Sequence, residues 1–255
     1  MGGTPLAPSP TTNDRRPTTN DQRPTALLML ITEIYKSLQG ESTYAGLPCV
    51  FVRLTGCNLR CSWCDSEYTF SGGKRMSAEE IFEEVARLSP NGGLVEITGG
   101  EPMLQERELL PFMQHLLDAS YTVLIETSGD RPLARVPQAV VKIVDVKCPH
   151  SGEPDTFDLS NLDALGPRDE VKFVISDRED YRFAREFTHQ HALATRVNAV
   201  LFSPAFRKDA QGLRSATQCL LDPQQLAEWM LADNVPARLN LQIHKFVWDP
   251  ALKGV

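Results

Sequence analysis

Cys57, Cys61 and Cys64 fall within the run Gly56-Cys57-Asn58-Leu59-Arg60-Cys61-Ser62-Trp63-Cys64-Asp65-Ser66, a C-x3-C-x2-C spacing. Three thiolates this close can hold three corners of a cubane iron–sulfur cluster. Such clusters as a rule take four cysteine ligands, so a three-cysteine site leaves one iron open. An open coordination position is a place for chemistry, as it is at a catalytic metal. A zinc knuckle is the alternative, but zinc wants a fourth protein ligand and no His or Cys follows within the next dozen residues. Cys49, Cys148 and Cys219 stand apart from one another and read as buried small hydrophobes. Cys148, in Asp145-Val146-Lys147-Cys148-Pro149, could also lie behind the site.

Other polar groups have chemistry to offer, each with a plainer alternative. Gly99-Gly100-Glu101-Pro102 joins an apolar run to a helical one; its glycines let backbone approach a ligand closely, or make an ordinary turn. Gln39-Gly40-Glu41 sets an amide beside a carboxylate, which suits the donor and acceptor edge of a heterocycle such as a pterin, or a surface turn. Arg53 interrupts an apolar run, and an arginine there needs a partner. A ligand carboxylate or a structural pair with Glu41 or Glu126 would each serve. Asp65-Ser66 could place oxygen on Mg2+, or Ser66 could cap a helix. His244 is compatible with catalysis or with a surface position.

The elements that must position these groups alternate. Val50–Leu54 reads as a strand leading into the cysteine loop, and Leu94–Thr98 as a strand ending at the two glycines. Further strands are expected at Thr122–Glu126, Val140–Val146, Val171–Ile175, Val197–Phe202 and Leu239–Ile243. Ser77 and Glu80 form a capping box for a helix through Ile81, Val85 and Leu88. Helices are also expected around Gln105–Ala119, between Ser176 and Arg196, and after Asp222-Pro223. Strands alternating with helices make a parallel sheet, and Thr98, Glu126, Asp145, Lys147 and Ser203 fall after strand ends, where such folds bind ligands.

The chain has 255 residues, enough for one large α/β domain with a sizeable core. Thr11–Pro17 and Thr18–Pro24 are near-identical polar heptads with no apolar content, so a disordered tail is expected over 1–26 and a folded domain over 27–255. A start codon placed upstream of Met29 would account for that tail. Acidic residues outnumber basic ones, 33 to 26, and the basic ones are scattered, so no nucleic-acid footprint is present. Six cysteines are too few for a disulfide-stapled scaffold. No leader pattern opens the chain and no apolar run could span a bilayer, so a reducing cytoplasmic setting without membrane contact is expected.

The cysteine loop after a strand, with Trp63 before the last cysteine, resembles the radical S-adenosylmethionine superfamily. With Ser37-Leu38-Gln39-Gly40-Glu41, Cys64-Asp65-Ser66, Glu126-Thr127-Ser128-Gly129 and Gln242-Ile243-His244-Lys245-Phe246, the chain more narrowly resembles its 7-carboxy-7-deazaguanine synthases, from about Thr32 to Val255. The resemblance implies an open, partial TIM-type (β/α) barrel and a homodimer. It implies a [4Fe-4S] cluster on Cys57, Cys61 and Cys64, whose open iron binds S-adenosylmethionine. Trp63, Cys64, Asp65, Gly100, Lys147, Cys148, Pro149 and Ser203 would contact that cofactor. Leu38, Gln39, Gly40, Arg53 and Thr98 would hold 6-carboxy-5,6,7,8-tetrahydropterin, and Ser66, where the family usually has threonine, would ligate Mg2+. The implied reaction is ring contraction to 7-carboxy-7-deazaguanine with loss of ammonia, in queuosine biosynthesis, started by one electron from a low-potential donor. The alternatives are an activase of a glycyl-radical protein and a zinc-stabilised interaction module.

Overall fold

The computed structural model describes residues 1–3, 28–208, 216–249 and 252–254. Apart from residues 1–3, the tail expected over 1–26 lies outside the described residues. Nine strands form one sheet: β1 (Leu28–Leu38), β2 (Pro48–Leu54), β3 (Lys74–Ser77), β4 (Leu94–Gly99), β5 (Thr122–Thr127), β6 (Val141–Asp145), β7 (Glu170–Ile175), β8 (Ala199–Pro204) and β9 (Arg238–Leu239). Their spatial order is β3-β1-β2-β4-β5-β6-β7-β8-β9, with β3 and β9 at the two ends, so the barrel stays open. From β2 onward neighbouring strands are parallel, while β1 pairs antiparallel with both β2 and β3.

The helices are α1 (Ala78–Leu88), α2 (Glu106–Asp118), α3 (Arg178–Gln190), α4 (Leu193–Arg196), α5 (Pro223–Ala232) and α6 (His244–Val247). Alternation along the strands decides what they cover. Val50, Val52, Val95, Ile97, Val123 and Ile125 share a fully buried cluster with Ile81 and Val85 of α1 and Phe112 and Leu116 of α2. Val171, Phe173 and Phe202 likewise pack with Tyr181 of α3 and Leu226 of α5. The intervening residues face the other way, where Cys49, Phe51, Leu94, Leu124, Val141 and Ile143 form a third cluster inside the barrel. The inner face therefore starts apolar at the base and turns polar toward the carboxyl ends.

The capping box forms as expected: Glu80 N–H donates to Ser77 Oγ at 3.2 Å and Ser77 N–H donates to the Glu80 carboxylate at 2.8 Å. Asp222 caps α5 with Pro223 in its first turn. Three expectations need correction. The strand at Val50–Leu54, the first one expected from the sequence, is preceded by an eleven-residue strand, β1, that ends at Leu38. The strand expected over Leu239–Ile243 is two residues long and ends at Leu239, and His244 already opens the turn of α6. The single helix between Ser176 and Arg196 is broken at Ala192, whose left-handed φ of 51° cannot continue a right-handed helix.

Candidate active site

The cysteine loop leaves the top of β2 and is held by backbone bonds from three directions. Gly56 N–H donates to Thr69 O at 2.8 Å, Glu101 N–H to Gly56 O at 2.8 Å, and Ser62 N–H to Ser151 O at 2.7 Å. Arg60 Nη1 donates to the carbonyls of Cys57 and Leu59 at 2.8 and 2.7 Å, which fixes the turn between the first two thiols. Gly100 closes against this loop: a Cβ there would lie 2.2 Å from Gly56 O and 2.7 Å from Cys57 Cβ. Glycine is thus required by close approach of two backbones. Glu101 is spent on the fold, accepting from Met103 N–H, Thr127 Oγ1 and the Ser128 N–H and Oγ at 2.7–2.9 Å.

All three cysteine side chains are half-buried and line one cavity of about 330 Å3. Burial raises the Cys57 thiol and pushes that of Cys61 up to about 11, so an iron center's positive charge is what would hold them as thiolates. A single zinc needs its ligand atoms gathered closely. Among the described residues, the grouping of three such atoms within 4.8 Å is His150, Asp177 and Asp180, and the three cysteine sulfurs do not meet that spacing. Three thiols spread around a cavity with a backbone cradle at Gly100 fit a cluster with a small ligand on its open corner.

Beneath the cysteines lies a layer of charge. Lys172, 3 % exposed, is bonded to Glu126 and, at 2.8 Å, to Glu41, with Asp145 at 3.9 Å. Burial alone would lower the Lys172 pKa; the carboxylates of Glu126, Glu41 and Asp145 hold it well above its ordinary value. Glu41 shows the converse: burial raises it, but Lys172 outweighs this and draws it down to about 2. At Glu96 burial and the nearby Glu126 and Glu41 outweigh the pull of Lys172 and Arg53 and push it well up, toward a neutral acid. Gln39 bridges the set, donating its amide to Glu96 and accepting from Glu41 N–H at 2.6 Å. Lys147 bonds Asp145 at 2.8 Å, and Asp145 Oδ1 is buried without a partner among the described residues.

The β1–β2 loop delivers Gln39 and Glu41 from below. Thr43 donates through its N–H, at 3.1–3.2 Å, and its hydroxyl to Glu170 at the base of β7, and Tyr44 packs on the interior apolar cluster. Arg53, near the carboxyl end of β2, donates Nε to Glu33 and Nη2 to Tyr35, both at 2.9 Å. Its protein partners are therefore on β1, whereas Glu41 and Glu126 belong to Lys172. Arg53 also lines the cavity, and its Nη1 has no acceptor among the described residues.

The cavity brings together Leu38, Gln39, Gly40, Arg53 and Thr98 with Cys57, Cys61, Cys64, Trp63, Asp65, Ser66, Gly100 and Lys147. Three expected cofactor residues, Cys148, Pro149 and Ser203, are not among the residues that line it. Cys148 is buried in the outer core, Pro149 opens the turn that supports Ser62, and Ser203 accepts from Asn240 at 3.0 Å inside the fold. Conversely Glu96, Lys172, Tyr35, Tyr68, Gln242 and Lys245 line the cavity without having been singled out for the site. Glu96 and Lys172 carried the signal that marked Arg53, a charge within an apolar strand. That signal is not specific: Lys142 has it too and pairs with Asp169 at 3.1 Å, away from the cavity. Ser66 does cap the short turn Glu67–Thr69, without a side-chain bond to it.

An open parallel barrel with a C-x3-C-x2-C loop over its carboxyl end defines a radical S-adenosylmethionine enzyme, and the model of the radical SAM superfamily matches residues 51–159. Its cofactors are a [4Fe-4S] cluster and S-adenosylmethionine. The chain is 69 % identical over 227 residues to the 7-carboxy-7-deazaguanine synthase of Koribacter versatilis, covering 89 % of this chain and 100 % of that one. It is 38 % identical over 228 residues to that of Chlorobaculum tepidum, covering 88 % and 96 %. The chain belongs to the 7-carboxy-7-deazaguanine synthase family. The crystal structure of QueE from Escherichia coli shares the fold, with a TM-score of 0.62 at 23 % identity over 84 % of this chain and 93 % of that one.

Proposed function

We propose that this chain converts 6-carboxy-5,6,7,8-tetrahydropterin to 7-carboxy-7-deazaguanine with loss of ammonia, a step of queuosine biosynthesis. The observation that carries this reading is one continuous cavity lined both by the three cysteines and by Gln39, Glu41 and Arg53. When bound, the cluster and S-adenosylmethionine supply one-electron, hydrogen-abstracting chemistry. Cys57, Cys61 and Cys64 hold the cluster, and the Gly100 backbone, Trp63, Asp65 and Lys147 bind the cofactor beside it. Gln39 and the layer below it offer amide, carboxylate and carboxylic-acid groups to a pterin ring, while the free Nη1 of Arg53 takes its carboxylate. Thr98 and the backbone of Leu38 and Gly40 complete the substrate side.

Ser66 Oγ lies 3.8 Å from Cys64 Sγ, which sets a hydroxyl beside the cluster end, and we assign it to Mg2+. The chain works as a homodimer and takes its electron from a low-potential donor. The protein's part is to position the two ligands against each other. A layer of lysine and carboxylates this deep serves a polar small molecule and has no use in an activase whose substrate is another protein. Anaerobic reconstitution with iron and sulfide, then incubation with the tetrahydropterin, S-adenosylmethionine and a reductant, should yield the deazaguanine by mass. A loaded enzyme that leaves the pterin untouched would refute the assignment.

A further inference from the structure

One residue lining the cavity, given no role by the assignment above, joins the cysteine loop to the bonds around Glu41. Lys245 lies in the first turn of α6 and is 5 % exposed. Its ammonium reaches Asp65 Oδ2 at 2.6 Å and Gln242 Oε1 at 3.0 Å, and sits 5.0 Å from the center of the Phe206 ring. Asp65 directly follows the last cysteine of the loop. Gln242 in turn donates to Glu41 Oε1 at 2.8 Å, and Glu41 carries the link to Lys172 and Gln39. The same segment is fixed to the substrate side a second time, since Ile243 N–H donates to Gly40 O at 2.9 Å and His244 packs directly on Gly40.

A buried ammonium is costly to leave without acceptors, so the two it has are held in place. Here one acceptor belongs to the cysteine loop and the other to the chain of bonds beneath the pterin side. We infer that Lys245 is a positioning residue that fixes the cysteine loop and the substrate floor relative to each other, acting through Asp65 in one direction and Gln242 in the other. The inference rests on the proposed function, which puts the cofactor beside Asp65 and the pterin above Gln39 and Glu41. It makes α6 the tie between two loops that come from opposite ends of β2.

The test uses reconstituted enzyme and reads two constants, the Kd for S-adenosylmethionine at equilibrium and the KM for the tetrahydropterin, beside iron content. Lys245→Met should raise both by about tenfold, the scale of one charge-assisted bond lost in each direction. Asp65→Asn should raise the cofactor Kd alone, and adding it to Lys245→Met should not raise that Kd further. If Lys245→Met fails to hold its cluster, Gln242→Leu carries the other arm and should raise the pterin KM without moving the cofactor Kd. The inference is overturned if Lys245→Met shifts only one constant, if its effect on cofactor Kd adds to that of Asp65→Asn, or if Gln242→Leu shifts both constants equally. A wild-type enzyme that binds neither ligand would instead refute the assigned activity, so the two failures are told apart.

Discussion

Gly100→Ala adds a single methyl group and should disable the site. The added carbon would lie 2.2 Å from Gly56 O and 2.7 Å from Cys57 Cβ, and neither neighbor is the end of a flexible side chain. Ordinary contact requires the two loops to part by roughly 1 Å. Gly100 is not among the glycines with positive φ, so the effect is one of contact and not of backbone conformation. Overpacking of this kind costs about 1–3 kcal/mol. The displacement falls on Cys57 and on the backbone that faces the cofactor, and a misplacement of about 1 Å at a reacting center can cost about 10²-fold in rate. The expected result is a folded protein with a thermal midpoint a few degrees lower, reduced iron and sulfide content, and kcat/KM down about 10²-fold. Iron and sulfide analysis, visible absorbance and anaerobic turnover would measure these. A Gly100→Ala enzyme with a full cluster and unchanged kcat/KM would refute the argument from close approach.

Other outcomes follow from the same geometry. Cys57→Ala should abolish cluster loading and turnover, and substantial product from that cluster-free variant would sink the proposal. Ser66→Ala should weaken the response of turnover to Mg2+; an unchanged Mg2+ titration would remove Ser66 from the metal site. Lys172→Met leaves Glu41 and Glu126 buried without their cation and should destabilise the fold by about 3–5 kcal/mol in denaturant unfolding. Without the ammonium, burial raises both carboxyls in the folded state above their unfolded values, so the variant should lose stability as pH rises through neutrality. In the wild type, Glu41 at about 2 has the opposite sign: its contribution is full above the ordinary value of 4.5 and fades as pH falls from there toward 2. Arg53→Met should raise the pterin KM by about 10–150-fold, the range for a charged hydrogen bond, with kcat less affected.

The parallel core of the sheet was legible because strands buried on both faces are apolar runs bounded by turns, as Leu94–Thr98 and Val171–Ile175 are. Strand β1 was not, because Glu33 breaks its apolar pattern on the inner face and is satisfied by Arg53, which sits directly opposite only once the hairpin forms. Strand β9 is two residues long, too short for any periodicity, and its neighbors Asn240 and Gln242 turn inward to bond Ser203 and Glu41. In the site, the cysteine spacing was visible as a local pattern. The Glu41–Lys172–Glu126 group was not, since its members are separated by 46 and 131 positions and only the barrel closes those distances. Arg53 was read correctly as needing a partner; of the two kinds considered, the structural pair with Glu41 or Glu126 gives way to Glu33 and Tyr35 on β1, and a ligand carboxylate stays open.

The pocket floor is a hairpin loop, and this has an evolutionary consequence. Barrels usually fill their interior with layers of side chains from the strands, so a change in depth disturbs several strands together. Here Thr43 docks on Glu170 and the loop carries Gln39 and Glu41 upward as one piece. Lengthening or shortening that loop would alter the height of the floor while leaving every strand in register, since loop length costs little in closure entropy. Substrate size can therefore drift within such a lineage through a short connecting segment, while the cysteine end, locked by backbone contacts at Gly56 and Gly100, is left no such freedom.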